Sequence, residues 1–154
     1  IKPVENFDAV RYLGTWHEVA RYDHYFEQDL RYVTATYTLR PDRNIQVENR
    51  GFIDPKTPKT ITGYAVQPEA GKGFFRVCFF WPFFGDYKIF YLNDDYTVAM
   101  VTSSTMDYFW LLSKRRNLDQ KTYDEMIELA KQYGFDPKRM TKVELFEQTP
   151  SGKD

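Results

Sequence analysis

The sequence predicts an all-β fold: an eight-stranded antiparallel up-and-down β-barrel with a short N-terminal helical turn and one C-terminal α-helix packed outside. Three observations predict this fold. Short runs alternate between apolar and polar residues, turn residues separate the runs at regular spacing, and helical periodicity is clear in one segment near the C-terminus. The strands are expected at residues 15–21, 33–39, 45–49, 60–67, 74–80, 87–92, 96–101 and 108–113.

The run 33–39 shows the strand pattern most plainly. Val33, Ala35 and Tyr37 alternate with threonines, and β-branched and aromatic residues of this kind suit a half-buried strand. Pro41 then begins a turn, after which the alternation resumes. An antiparallel barrel of eight such strands encloses room for one small ligand.

Two segments depart from the strand pattern. Asp8 is placed to cap a short helical turn that precedes the first strand. Near the C-terminus, Asp119 and Gly134 stand at the N-cap and C′ positions of an amphipathic helix. The apolar residues on one face of this helix are Tyr123, Met126, Ile127, Ala130 and Tyr133. This face is expected to pack on the outside of the sheet.

Length and composition limit the organisation of the chain. The 154 residues predict a single domain over residues 1–148 and a polar tail over 149–154. A last short strand is expected near the domain end from Val143, Leu145 and Phe146. Aromatic residues make up 18% of the chain, which provides ample apolar surface for a core and excludes intrinsic disorder.

Charge and residue counts exclude several classes of function. There are 21 Lys plus Arg residues against 22 Asp plus Glu, so no basic field is available for nucleic acid. The longest uncharged stretch, 96–106, is shorter than the ~20 residues that a membrane-spanning helix needs. One cysteine, Cys78, permits no internal disulfide, and two histidines permit no all-imidazole metal site. No metal or cofactor is therefore expected.

Several ordered segments between residues 6 and 142 resemble the lipocalin family. The helical turn leads into a Gly-X-Trp sequence at Gly14 and Trp16, and the pair Asp95–Tyr96 is similar to the second family signature. The third signature is matched from residue 107 to 113, but Lys114 stands where the family has Arg. Within this family, the sequence most resembles the branch that contains the bacterial outer-membrane lipocalins, apolipoprotein D and the plant temperature-induced lipocalins.

The resemblance implies that Trp16 plugs the closed end of the barrel. Either Lys114 or Arg115 would then lie across this indole, Lys114 as a cation–π partner. Strict alternation would place Glu18, Ala20 and Tyr22 on the same inward face as Trp16. We expect an inward Glu18 to be satisfied by a neighbouring tyrosine or a buried water rather than by ligand.

Alternate residues on the strands are expected to line the ligand cavity, with Tyr87 and Trp110 at the positions of closest resemblance. Tyrosine suits such a wall because it combines an apolar ring with a hydrogen-bonding hydroxyl. Asn49 and Tyr64 are expected to add polar side chains to the cavity wall. The full predicted set of ligand-binding residues is Ala35, Tyr37, Asn49, Tyr64, Phe79, Tyr87, Tyr91, Tyr108 and Trp110.

These observations favour a non-enzymatic protein that binds a fatty acid, a lysophospholipid or a similar amphiphile. The resemblance implies a role in storing or moving membrane lipids. The place would be the bacterial envelope, either outer membrane or periplasm, or else an extracellular space. Because the sequence opens at Ile1 without Met, we expect that a signal or anchor segment has been removed. A lipocalin-type enzyme is the first alternative, and only Cys78 or Glu18 would provide it with a reactive group.

A protein-interaction module is the second alternative. The apolar block that contains Trp81, Phe83 and Phe84 follows the predicted fifth strand and includes Pro82. The resemblance implies that this block lies at the open mouth of the barrel. It either folds over the mouth or stays exposed and contacts a membrane surface or another chain. The protein is expected to be a monomer or a weak homodimer.

Overall fold

A computed structural model describes residues 1–24, 29–80 and 83–143, except for the side chain of Phe83. Strands dominate this part of the chain, and two α-helices and one 3₁₀ turn accompany them. In chain order the elements are α1 Ala9–Tyr12, β1 Gly14–Tyr22, β2 Arg31–Leu39, β3 Ile45–Asp54, β4 Thr57–Val66, β5 Phe74–Phe80, β6 Phe83–Leu92, β7 Val98–Thr102, β8 Trp110–Ser113, α2 Gln120–Gln132, the 3₁₀ turn Pro137–Arg139 and β9 Met140–Lys142. No helix in these ranges has the length and apolarity needed to cross a bilayer.

The strands form a closed antiparallel barrel, which confirms the predicted fold. From β2 to β8 each strand pairs with the next, and β1 pairs with both β8 and β2 to close the ring. The short strand β9 adds to the outside of the ring by pairing with β1 at residues 20–22. It ends at Lys142, and the next residue, Val143, donates its backbone N–H to the Val19 carbonyl oxygen. Leu145 and Phe146 of the predicted last strand lie outside the described residues.

Two buried apolar clusters divide the molecule. The interior cluster lies inside the barrel and includes Trp16, Tyr37, Phe75, Ile89 and Leu112 among its members. The helix cluster lies between the outer face of the barrel and α2, as predicted for an amphipathic helix after the last barrel strand. Both predicted helix caps of α2 are present, since Asp119 accepts from the Thr122 backbone N–H at 3.0 Å and Gly134 has φ +106°.

A β-bulge in β1 changes which residues face the interior. The register of β1 against β8 shifts between Glu18 and Ala20, and an extra residue at such a point reverses the alternation beyond it. Ala20 and Tyr22 therefore lie in the helix cluster, and the prediction that they face inward is wrong. Arg21 faces inward instead, because it pairs with Trp110, which packs on the interior cluster.

The last two barrel strands begin later than the sequence predicts. β7 begins at Val98 because the side chain of Asn93 accepts hydrogen bonds from the backbone N–H groups of Thr97 and Val98 and holds a turn there. Tyr96 lies in this turn at φ +57°. Similarly, β8 begins at Trp110, and Tyr108 belongs to the preceding loop.

Candidate ligand-binding site

One end of the barrel is sealed by α1 and Trp16. The indole is fully buried, its Nε1–H donates to the Tyr12 carbonyl oxygen at 2.8 Å, and its ring stacks on that of Tyr12 with centroids 4.8 Å apart. Lys114 Nζ lies 5.2 Å from the indole centroid and donates to the Arg11 carbonyl oxygen at 2.9 Å. The sequence left either Lys114 or Arg115 to lie across Trp16, and in the structure this residue is Lys114.

Among the remaining signature residues, Tyr96 fastens α1 to the turn between β6 and β7. The backbone N–H of Asp8 donates to the Tyr96 hydroxyl at 3.0 Å, and the Arg11 guanidinium lies 4.1 Å from the Tyr96 ring centroid. Asp95 is exposed in the same turn, and Gly14 adopts φ +115°, a conformation that favours glycine. Both ends of α1 are therefore tied to the barrel, and this end of the interior is closed.

The interior wall above this seal contains six of the predicted ligand-binding residues. Tyr37 is buried in the interior cluster, whereas four others pack against it and remain partly exposed: Ala35, Phe79, Tyr87 and Trp110. Asn49 is opposite Ala35 in the β2–β3 register and is also partly exposed. Inward-facing side chains that keep solvent contact indicate a barrel interior that is open on the side away from Trp16.

Tyr108 and His24 stand together outside the strands. Their rings stack with centroids 4.2 Å apart, and the Tyr108 ring stacks on Trp110 at 5.8 Å. His24 Nε2 lies 3.0 Å from the Asp107 carbonyl oxygen. The three rings form a row from the β7–β8 loop onto β8, at the end of the barrel opposite the seal. Tyr108 therefore lies at the open mouth of the barrel and not on its inner wall.

The structure does not place Tyr91 in the interior. The register of β6 against β7 shifts between Ile89 and Tyr91, and this bulge turns Tyr91 outward onto the helix cluster. Burial and the neighbouring carboxylates of Asp94 and Glu125 raise the pKa of its phenol. The prediction that Tyr91 lines the cavity is therefore wrong.

Tyr64 also lies on the outer surface of the barrel. Its neighbour Ala65 belongs to the interior cluster, so the Tyr64 side chain points to the opposite face of β4. There its ring meets that of Phe84 at 5.8 Å, edge to face, and the Arg40 guanidinium lies 5.0 Å from its centroid. The expectation that Tyr64 offers a polar point to the ligand is corrected by this placement.

Cys78 shares the outer face with Tyr64. It pairs with Tyr64 on one side and Phe84 on the other, and these neighbours leave it 1% exposed. The thiol is thus a small buried group, and it does not face the interior. Within the described ranges, no cluster of three or more His, Cys, Asp or Glu residues is arranged to hold a metal ion.

An ionic cluster inside the barrel was not predicted as such. Arg21 is 2% exposed and its guanidinium contacts Glu18 Oε1 at 3.1 Å, Asp23 Oδ1 at 2.9 Å and the Leu30 carbonyl oxygen at 3.1 Å. Glu18 is therefore satisfied by an arginine and not by a tyrosine or water alone. The sequence signal was two opposite charges three residues apart in a strand, but only the bulge lets both face inward.

Arg21 closes the barrel where backbone pairing ends. β2 pairs with β1 at residues 14–17, and further along the same edge of β1 pairs with β9 at residues 20–22. Arg21 reaches across to the Leu30 carbonyl oxygen, just before β2, in this interval. The cluster thus joins β1 to the segment that leads into β2 near the mouth.

Three tyrosine hydroxyls meet deep inside the barrel. Tyr12 and Tyr87 hydroxyl oxygens are 2.7 Å apart, and the Tyr37 hydroxyl donates to that of Tyr87 at 2.9 Å. Burial raises the pKa of all three phenols well above the ordinary value for tyrosine. These groups, called here the tyrosine triad, therefore stay neutral at physiological pH. Tyr12 was not among the predicted site residues, because it comes from α1 and not from a strand.

A barrel with one sealed end, one accessible end and an aromatic inner wall defines a protein of the small-ligand-binding class. Residues 7–145 match the family model described as a lipocalin-like domain. The chain therefore belongs to the lipocalin family.

Individual relatives agree with this assignment. The chain is 40% identical over 147 residues to the outer membrane lipoprotein Blc of Vibrio cholerae, covering 94% of this chain and 86% of the relative. It is 30% identical to temperature-induced lipocalin-1 of Arabidopsis thaliana, with 91% and 80% covered. The fold is similar to that of insecticyanin from the tobacco hornworm Manduca sexta, with TM-score 0.76, 17% identity and coverage of 99% and 87%.

Proposed function

We propose that this lipocalin binds an amphiphilic lipid, such as a fatty acid or lysophospholipid, inside its barrel and does not act as an enzyme. The observation that carries the proposal is the set of inward-facing apolar side chains that stay partly exposed above a sealed end. Each methylene that moves from water into such a site contributes ~0.8 kcal/mol. An acyl chain therefore gains useful affinity from burial alone.

We also propose that the protein works in the bacterial cell envelope, with secretion as the alternative. Support comes from relatives named as outer membrane lipoproteins in Vibrio cholerae and in Escherichia coli, the latter 39% identical over 150 residues. A lipid-binding barrel at that place would store or move membrane lipids. Native mass spectrometry of the purified protein tests the proposal directly, and release of a lipid on activation of the complex is expected.

Trp110 is expected to report ligand binding. A fatty-acid titration should change the intrinsic fluorescence, and Trp110→Phe should abolish most of that change because its ring lies on the inner wall. Tyr91→Phe is the matched control, since Tyr91 packs on the helix cluster and its variant should respond like the wild type. A full fluorescence response in the Trp110 variant would remove Trp110 from the site.

The positions of the two candidate reactive groups support binding over catalysis. Cys78 is buried on the outer face, and Glu18 is engaged by the Arg21 guanidinium at 3.1 Å. Neither has the free, cavity-facing position that a nucleophile or general base needs. Alkylation of the thiol tests the enzyme alternative, because we expect slow modification of the folded protein and no effect on lipid binding.

Contact with a membrane surface through the mouth is a further part of the proposal. Phe80, at the end of β5, is 69% exposed. Trp81 and the side chain of Phe83 lie outside the described residues. Phe84 is half-buried against Tyr64, and the Arg76 guanidinium lies 5.3 Å from its ring. An exposed ring at the mouth, next to this aromatic block, favours insertion into a lipid interface.

Phe80→Ser is expected to weaken association with liposomes severalfold in a co-sedimentation assay while leaving thermal stability unchanged, because the ring makes little core contact. Leu39→Ser is the control, since Leu39 is 59% exposed at the closed end of the barrel. Equal losses in both variants, or none in the Phe80 variant, would count against membrane contact through the mouth. Light scattering at several concentrations tests the competing interpretation, a homodimer formed through the same ring.

A further inference from the structure

The number of protons in the tyrosine triad exceeds the number of hydrogen bonds that join it. Three hydroxyl groups carry three protons, and the two bonds between them use two. One O–H group therefore remains available to donate, whichever way the hydroxyls rotate.

Tyr87 is the member that can present this proton to a ligand. Its hydroxyl accepts from Tyr37, and the bond with Tyr12 can be donated from either side. When Tyr12 donates, Tyr87 accepts twice and its own proton is free. Tyr87 is also the one partly exposed residue of the triad, whereas Tyr12 and Tyr37 are 2% and 7% exposed.

The surroundings of the triad disfavour a negative charge. Burial is the largest cause of the raised pKa of each phenol, and the Glu18 carboxylate adds to it at Tyr37. The Arg21 guanidinium is already engaged by Glu18, Asp23 and the Leu30 carbonyl oxygen. A ligand carboxylate at the triad would therefore lose its hydration without gaining an ion pair.

We infer that the tyrosine triad is a deep polar subsite that donates one hydrogen bond, through Tyr87, to a neutral oxygen acceptor on the acyl chain of the ligand. A ketone, ester or epoxide oxygen has this chemistry. The inference rests on the proposed lipid-binding function and assigns it a preference: chain-oxygenated lipids bind more tightly than saturated ones of equal length. The charged headgroup then remains nearer the mouth.

The test compares octadecanoic acid with its oxo derivatives at carbons 6, 9, 12 and 15, by displacement of a fluorescent fatty-acid probe. At the chain position that reaches the triad, the oxo acid is expected to bind about fivefold more tightly than octadecanoic acid, the effect of one net hydrogen bond. A wild-type protein that binds octadecanoic acid but prefers no oxo position would overturn the subsite alone. Absence of any binding would overturn the proposed function with it.

Two matched variants locate the donor. Tyr87→Phe should lose the preference for the oxo acid, measured as the ratio of its affinity for the oxo acid to its affinity for octadecanoic acid. Tyr12→Phe should keep this preference, because Tyr87 then only accepts from Tyr37 and its proton is always free. A retained preference in the Tyr87 variant, or its loss in the Tyr12 variant, contradicts the assignment.

A spectroscopic measurement does not depend on the folding of these variants. The infrared carbonyl band of the bound, ¹³C-labelled oxo acid in the wild-type protein should lie at lower frequency than in hexane, as for a hydrogen-bonded ketone. A band at the hexane frequency would mean that the carbonyl has no donor and would overturn the inference.

Discussion

Trp16→Ala is expected to lower the free energy of unfolding by about 3–5 kcal/mol, the range for truncation of a large aromatic core side chain. The indole is fully buried, stacks on Tyr12 and donates to its carbonyl oxygen. Its removal leaves a cavity at the sealed end and an unpaired acceptor in α1. Urea denaturation measured by far-ultraviolet circular dichroism provides the number.

Trp16→Phe is the control for this loss, because it keeps much of the ring volume and removes the Nε1 donor. Its cost should be well below that of the alanine variant. If Trp16→Ala left stability unchanged and ligand affinity collapsed, Trp16 would be a ligand contact and not a plug.

Arg21→Met is expected to cost about 3–5 kcal/mol, because it removes one partner of a buried ion pair and leaves the other charge without it. Glu18 is 5% exposed, so its carboxylate would keep a desolvation penalty that the guanidinium now offsets. The variant also removes the bond from Arg21 to the Leu30 carbonyl oxygen. Chemical denaturation at neutral pH measures the effect.

The double variant Glu18→Leu with Arg21→Met separates charge from packing. If loss of the guanidinium beside the Glu18 carboxylate causes the effect, the double variant should be more stable than Arg21→Met alone. Equal stability of the two variants would mean that the bonds from Arg21 to Asp23 and Leu30 carry the effect instead. In either case the mouth between β1 and β2 should become more susceptible to proteolysis.

Alternation and turn residues predicted the barrel well, and the reason is local. Val33, Ala35 and Tyr37 face one side of β2 wherever that strand is placed, because side chains alternate along any extended segment. The same holds for the caps of α2 at Asp119 and Gly134, which depend on nearby backbone geometry alone.

Alternation failed where a strand contains a bulge. One extra residue between Glu18 and Ala20, and another between Ile89 and Tyr91, each reversed the facing of the side chains beyond it in the strand. Tyr91 left the predicted site for this reason, and Arg21 entered the interior. Tyr64 was misplaced differently, since alternation separates it from Ala65 but does not say which of the two faces inward.

The sequence pattern by itself determined the up-and-down order of the strands and the terminal helix, and the resemblance to lipocalins implied the sealed end around Trp16. Tertiary structure decided which polar groups meet inside the barrel. Tyr12, Tyr37 and Tyr87 come from α1, β2 and β6, and their hydroxyls converge only because the ring closes. Such contacts join residues far apart in the chain, and their geometry depends on register and bulges that side-chain periodicity does not encode.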